Sequence, residues 1–258
     1  MNFNFFKYHG TGNDFILIDN RSGKFNADSE IIAKLCHRRF GIGADGLMLL
    51  ENSDNYDFKM RYFNSDGNEG TMCGNGGRCI VAFAKKLGLI TEYTVFEAVD
   101  GIHKARVNNG LVSLHMSSVD NIDKLSSDYF LDTGSPHFVR FIDDVDEFDV
   151  YKEGRNIRYS EKFKKNGTNV NFVQIIDDNT IKVATYERGV EDETLSCGTG
   201  VTASAISAYV KNGGRAAKFN IQTKGGDLQV EFVEKNGKFD NIILSGPASF
   251  VFEGNIEI

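Results

Sequence analysis

Two cysteines of this chain stand in the same chemical setting. Cys73 sits in Met72-Cys73-Gly74-Asn75-Gly76-Gly77-Arg78 and Cys197 in Ser196-Cys197-Gly198-Thr199-Gly200, so each thiol precedes Gly-x-Gly. A buried helix is expected after each: Arg78 to Lys86, apolar on all sides, and Val201 to Lys211, rich in small residues. A helix N-terminus carries unpaired N–H groups and the positive end of the macrodipole, which lower a thiol pKa and attract a carboxylate. If the two motifs face each other, a substrate carboxylate lies between two helix starts and its Cα between two sulfurs. One thiolate can then take the Cα proton while the opposite thiol delivers another, which is racemisation or epimerisation by two bases.

That chemistry requires no cofactor. The sequence holds no Walker loop, no dinucleotide loop after a strand and no Cys-x-x-Cys pair, so neither a cofactor nor a metal is expected, although pyridoxal phosphate use leaves no motif to read. Cys36 and Cys79 fall inside predicted helices and read as small buried hydrophobes. The reactive pair admits two other readings, a thiol redox protein and a binding module that keeps only the fold.

The elements that must position these thiols follow from composition and periodicity. The 258 residues are 41% hydrophobic and 25% charged, enough for one large core or two ordinary ones. Twenty-seven glycines against two prolines fit a turn-rich β protein. A net charge of −7 without long acidic runs argues against nucleic acid and anionic membranes as partners. No apolar run approaches the roughly 18 residues of a membrane helix. The opening segment is too short and polar for a secretion signal, so the cytoplasm is the expected location. Alternating residues predict strands at each end of the chain and between the two motifs, with a helix from Asp28 to about His37. Cys197 follows Cys73 by 124 positions; the same offset relates Tyr62 to Tyr186, Glu69 to Glu193, Gly74 to Gly198, Gly76 to Gly200 and Gly101 to Gly225. Such a repeat predicts an α+β fold of two pseudo-symmetric domains from duplication, each wrapping strands around one apolar helix. The expected boundaries are 1–116 with Cys73 and 117–246 with Cys197, with 247–258 a candidate to return to the first domain.

The segments KYHGTGNDF, MCGNGGRC, TGSPHFV, TNVNFV and YERG…ETLSCGTG resemble the diaminopimelate epimerase family, in that family's order and over nearly the whole chain. The Gly-x-Gly-Asn-Asp-Phe and Tyr-Glu-Arg-Gly segments separate it from its relatives, the proline racemases and phenazine-type isomerases. The resemblance implies two α/β domains, each a curved mixed sheet around a central helix, a homodimer, and a diaminopimelate substrate. By matching motif it makes Cys73 and Cys197 the acid/base pair. It assigns Gly74-Asn75 and Gly198-Thr199 to the carboxylate at the reacting centre. Asn13, Asn64, Ser135, Asn169, Glu187 and Arg188 match substrate-holding positions, and His137 with Glu187 would set the thiol pKa values. Read alone, Asn13 and Asn64 also fit turn formers, Glu187-Arg188 a surface ion pair, and His137 an ordinary histidine. The chain departs from the family at Gly46, where many members have Gln, at Ser135, where Asn is common, and in a 188–194 loop one residue longer.

Overall fold

A computed structural model of the chain describes residues 2–26 and 28–257. Met1 and Ile258, the end residues of two predicted ranges, lie outside them. The Gly-rich turn near the N-terminus folds as a hairpin: β1 (Asn2–Gly10) and β2 (Asn13–Asp19) pair antiparallel with Gly10 opposite Asn13. The two loop residues, Thr11 and Gly12, have φ of +48° and +87°, the left-handed pair that matches the twist of the flanking strands. Helix α1 (Ser29–Cys36) starts where Asp28 accepts the Ile31 N–H at 2.9 Å. Then follow β3 (Gly46–Glu51), β4 (Phe58–Asn64), the two-residue β5 (Glu69–Gly70) and helix α2 (Gly74–Lys86). Three more strands, β6 (Tyr93–Ala98), β7 (Gly101–Asn108) and β8 (Leu111–His115), end the first half.

The second half runs β9 (Asp123–Leu125), β10 (Asp128–Asp132), β11 (Pro136–Phe141), α3 (Val150–Arg158), β12 (Asn169–Ile175), β13 (Thr180–Glu187), β14 (Asp192–Thr194) and α4 (Gly198–Lys211). It closes with β15 (Lys218–Thr223), β16 (Gly226–Lys235), β17 (Lys238–Pro247) and β18 (Ser249–Glu257). The chain divides into two compact units, one reaching to Leu114 and resuming at Gly246, the other His115–Ser245.

Both units are wired alike. In the first, β2–β3 and β4–β6 are parallel, while β1–β2, β3–β4, β4–β5, β6–β7 and β7–β8 are antiparallel. In the second, β11–β12 and β13–β15 are parallel, while β10–β11, β12–β13, β13–β14, β15–β16 and β16–β17 are antiparallel. Strand β18 lies antiparallel outside β1, the place that β9 takes outside β10. This is the α+β class expected, mixed sheets with few helices.

Each Cys-bearing helix is a core element. Helix α4 buries Val201, Ala205, Ile206 and Ala208 among Val183, Phe219, Ile221, Val230 and Leu244. Each fully buried aliphatic side chain contributes about 1.5–3 kcal/mol. Its hydroxyls turn back onto the helix, Thr202 to the Gly198 carbonyl, Ser204 to Gly200 and Ser207 to Ala203 at 2.8–2.9 Å, which makes polar residues tolerable in a core. The shorter helices cover separate cores. Helix α1 contributes Ile32 and Leu35 to a cluster with Ile16, Ile18, Leu47 and Leu49, and α3 contributes Val150 to one with Val170, Phe172 and Tyr186.

Three features differ from the sequence reading. Helices α2 and α4 begin at Gly74 and Gly198, several residues before the expected Arg78 and Val201. Glycine disfavours helix intrinsically, and burial of the first turn overrides that. Helix α3 was not expected, because Gly154 interrupts its pattern. A Cβ at Gly154 would lie 2.4 Å from Tyr186 Cβ, so the glycine serves packing. Gly154→Ala gains about 1 kcal/mol of helix propensity and loses about 1–3 kcal/mol to overpacking. We expect net destabilisation of up to about 2 kcal/mol, read from urea unfolding; a stabilised variant would contradict this packing.

Candidate active site

The two motif cysteines are the N-cap residues of α2 and α4, with extended backbone (φ −104° and −127°). Each thiol therefore sits beside the first-turn N–H groups of a helix, at the positive end of its dipole. Cys73 Sγ accepts the Gly76 N–H at 3.2 Å, a direct donor to a thiolate. The second glycine of each motif has a steric reason. A Cβ at Gly76 would lie 2.8 Å from Met48 Cε and 3.2 Å from Cys73 Sγ, and one at Gly200 would lie 2.5 Å from Asn171 Oδ1.

In the first unit the hairpin loop is latched to α2. Asn75 Nδ2 donates to Asn13 Oδ1 at 3.3 Å, and Asn13 Nδ2 donates to Asp45 Oδ2 at 2.7 Å. Arg38 bridges Asp45 and Asp14, which fixes that carboxylate. Beneath them lies Arg78, 0% exposed, read from sequence only as part of the helix. Its guanidinium donates to the Gly74 and Pro247 carbonyls, Thr11 Oγ1 and Asn75 Oδ1 at 3.1–3.3 Å. Burial lowers the Arg78 pKa, and charge on Cys79 and, less strongly, on Cys73 opposes that, so a cation lies within electrostatic reach of Cys73. The signal in the sequence was an arginine at the head of a continuous apolar run. Asn64, at the end of β4, is exposed and pairs in register with Gly46, the residue after Asp45.

In the second unit a single network joins six of the predicted residues. Ser135 Oγ lies 3.0 Å from His137 Nε2 and 3.2 Å from Thr199 Oγ1, and Thr199 Oγ1 lies 3.5 Å from Cys197 Sγ. Asn169 Nδ2 donates to Ser135 Oγ and to the Pro136 carbonyl, both at 3.2 Å, and its Oδ1 accepts the Arg188 N–H at 2.9 Å. Asn169 thus holds Ser135 and Arg188 in place. Thr133 Oγ1 donates to the Thr199 carbonyl at 2.9 Å and ties the 133–135 loop to the start of α4. Asn171 is a member that sequence reasoning missed: it shares a strand face with Asn169, a period-two signal readable in Thr-Asn-Val-Asn. Gly198 is buried, Glu187 half-buried, and Arg188 exposed with Nη1 on the Asn166 carbonyl at 3.0 Å.

The departures from the family also have places. A Cβ at Gly46 would lie 2.5 Å from the Tyr62 ring, so Tyr62 fills the space a larger residue would need. The added acid of the 188–194 loop turns inward: Glu191 accepts from Tyr186 Oη at 3.2 Å and from the Gly189 N–H at 3.1 Å, and meets Arg158 at 3.3 Å. Burial pushes the Cys36 thiol up to about 12 and raises Cys79 further, which makes both inert. Among the described residues no group of three or more His, Cys, Asp or Glu side chains is placed to hold a metal ion, and no helix is long and apolar enough to cross a membrane.

Known proteins are similar to this chain in sequence and in fold. The sequence model of the family described as Diaminopimelate epimerase matches residues 5–112 and 129–251. The chain is 53% identical to the diaminopimelate epimerase of Flavobacterium psychrophilum, covering 97% of this chain and 99% of that protein. It is 44% identical to the one of Chlorobaculum tepidum, covering 96% and 99%. Among solved structures, a Bacillus anthracis phenazine biosynthesis protein of the PhzF family superposes with a TM-score of 0.78 at 15% identity, covering 100% of both chains. A hydroxyproline epimerase from Agrobacterium vitis does so with a TM-score of 0.67 at 14% identity, covering 99% and 92%.

Burial, with the Arg188 charge nearby, pushes His137 down to about 3, so the ring is neutral in the folded chain. Its folded pKa lies below the unfolded value of about 6.5. The stability it contributes is therefore complete above that value and is lost as pH falls toward 3. The unfolding free energy from urea titrations should fall between pH 6.5 and 4.5 by about 1 kcal/mol per pH unit, and His137→Gln should flatten that slope. An unchanged slope in the variant would contradict the neutral buried ring.

Proposed function

Because the chain belongs to the diaminopimelate epimerase family and is an isomerase, we propose that it converts LL-diaminopimelate to meso-diaminopimelate by proton transfer between Cys73, Cys197 and one substrate Cα. The observation that carries this reading is that each duplicated unit presents a cysteine as the N-cap of its buried helix. Identity of 53% and 44% with proteins of that name over nearly the whole chain supports the substrate.

The reaction is balanced without any external acceptor. One thiolate takes the Cα proton: the C–H bond breaks, an S–H bond forms, and the electron pair spreads onto the adjacent carboxylate. The opposite thiol then gives its proton to the other face of Cα. Configuration is inverted, and the sulfurs end with their protonation states exchanged. N–H groups at Gly74-Asn75 and Gly198-Thr199 stabilise the charge that develops on the carboxylate, and such donors act strongest where water is excluded. The buried Arg78 cation favours the Cys73 thiolate. Diaminopimelate carries a second zwitterionic end, which Arg188 with Glu187, Asn13 and Asn64 would hold through a carboxylate fork and amide contacts. The same reading takes the enzyme to be a cytoplasmic homodimer that works without a cofactor and supplies lysine and peptidoglycan precursors.

The test is incubation with LL-diaminopimelate, alongside a panel of L-amino acids, in D2O. Wild type should place deuterium at Cα of the meso product. Cys73→Ser and Cys197→Ser should each lose epimerisation by about 10²–10⁴-fold, the worth of one positioned acid/base group. Undiminished turnover in either variant would contradict the two-thiol mechanism. Racemisation of another amino acid with no turnover of diaminopimelate would overturn the substrate.

A further inference from the structure

The two cysteines have the same backbone setting but not the same donors. Cys73 receives the Gly76 N–H, whereas no backbone N–H of α4 caps the Cys197 side chain. The Cys197 sulfur instead ends a run of hydroxyls, and the direction of every hydrogen bond in that run can be fixed from groups with only one role. The Phe138 carbonyl only accepts, so Asn171 presents Nδ2 there at 3.0 Å, and Asn171 Oδ1 accepts the Thr185 hydroxyl at 2.9 Å. The second Nδ2 hydrogen of Asn171 then points at His137 Nδ1, 3.0 Å away, which must accept it. A neutral His137 with Nδ1 as acceptor carries its proton on Nε2, so Nε2–H donates to Ser135 Oγ at 3.0 Å.

The other input to Ser135 is fixed the same way. The Arg188 backbone N–H only donates, so Asn169 turns Oδ1 toward it, and Nδ2 toward the Pro136 carbonyl and Ser135 Oγ. Ser135 Oγ therefore accepts twice, which fills both lone pairs. Its one proton goes to Thr199 Oγ1, 3.2 Å away. Thr199 Oγ1, now an acceptor from Ser135, has its own proton left for Cys197 Sγ at 3.5 Å.

We propose that Ser135 is a positioning residue for Cys197: held by His137 and Asn169, it orients the Thr199 hydroxyl so that this donates to the Cys197 sulfur and favours the thiolate. The proposal deepens the acid/base role given to Cys197 above and rests on it. His137 acts here as a fixed neutral donor two hydroxyls away from the sulfur. Ser135, one of the positions where the chain departs from its family, has a hydroxyl that accepts two hydrogen bonds while donating one. The Thr133 bond to the Thr199 carbonyl keeps the backbone of the last link in register.

The experiment reads Cys197 directly, without substrate. In a Cys73→Ser background, iodoacetamide alkylation of Cys197 is followed by peptide mass at neutral pH. The raised thiols of Cys36 and Cys79 stay unmodified on that timescale. Thr199→Val should slow alkylation roughly tenfold, the worth of one hydrogen bond to a charged atom, and Thr199→Ser should restore it. Ser135→Ala should slow it about threefold, since Thr199 keeps its hydroxyl but loses its orientation. Ser135→Thr should restore the rate, and the double variant Ser135→Ala/Thr199→Val should be no slower than Thr199→Val alone, because the two act in series. Alkylation undiminished by Ser135→Ala, a double variant slowed by the product of the two effects, or failure of Ser135→Thr to restore the rate would each overturn the proposal. A serine that only held substrate would leave substrate-free alkylation unchanged. If the epimerase reading itself failed, deuterium would not enter the substrate while this alkylation series stayed intact, so the two failures are distinguishable.

Discussion

The structure turns on one constraint: a helix start cannot satisfy its own first N–H groups. Both motif cysteines occupy the N-cap, the position from which a side chain can meet those groups. A sulfur placed there is held at the positive end of a dipole, which favours a thiolate. The rest of each unit keeps that helix start rigid. Each helix is buried against strands of its own unit, so its first turn cannot fray without opening a core. Gly76 and Gly200 let Met48 with the Cys73 sulfur, and Asn171, approach where a Cβ would stand.

The two units share a plan and differ in local wiring. At Cys73 the support is a backbone N–H and a buried guanidinium, which four oxygen acceptors and the thiolate itself make tolerable in a dry site. At Cys197 the support comes through neutral groups, a buried histidine, two asparagines and two hydroxyls. Each arrangement is specified by residues outside the cysteine motifs. The repeat therefore aligns the sulfurs, the helices and the strand pairings, while the chemistry around each sulfur has diverged.

Much of this was legible in the chain because the spacing was strict. Cys-Gly-x-Gly before a continuous apolar run points to a capped buried helix, and a constant offset carries the first half onto the second. The strands were readable where residues alternate, as in β4 and β16. The helix starts were not, since glycines that permit close packing also erase helix propensity. The same conflict hid α3, whose Gly154 exists for Tyr186. The short strands β5 and β14 carry no period long enough to see. Among site residues, Arg78 was read only as the first residue of the expected helix, because a local pattern does not reveal which carbonyls a long side chain will reach. His137 and Ser135 were named from motif, but their connection to Cys197 depends on the side-by-side pairing of β11 and β12 with the start of α4. The added acid near residue 191 resolves into a ligand for Tyr186 and Arg158, an outcome set by tertiary contacts alone.

The account stands on two thiols acting from opposite faces of one carbon. That claim is tested most directly by following stereochemistry through time in D2O, with wild-type protein and pure LL-diaminopimelate. With two bases, product gains solvent deuterium and returns slowly, because its C–D bond must break while unlabelled substrate is still being consumed. The meso fraction should therefore rise above its equilibrium value before relaxing. A smooth approach to equilibrium, with the substrate proton retained in the product, would contradict it.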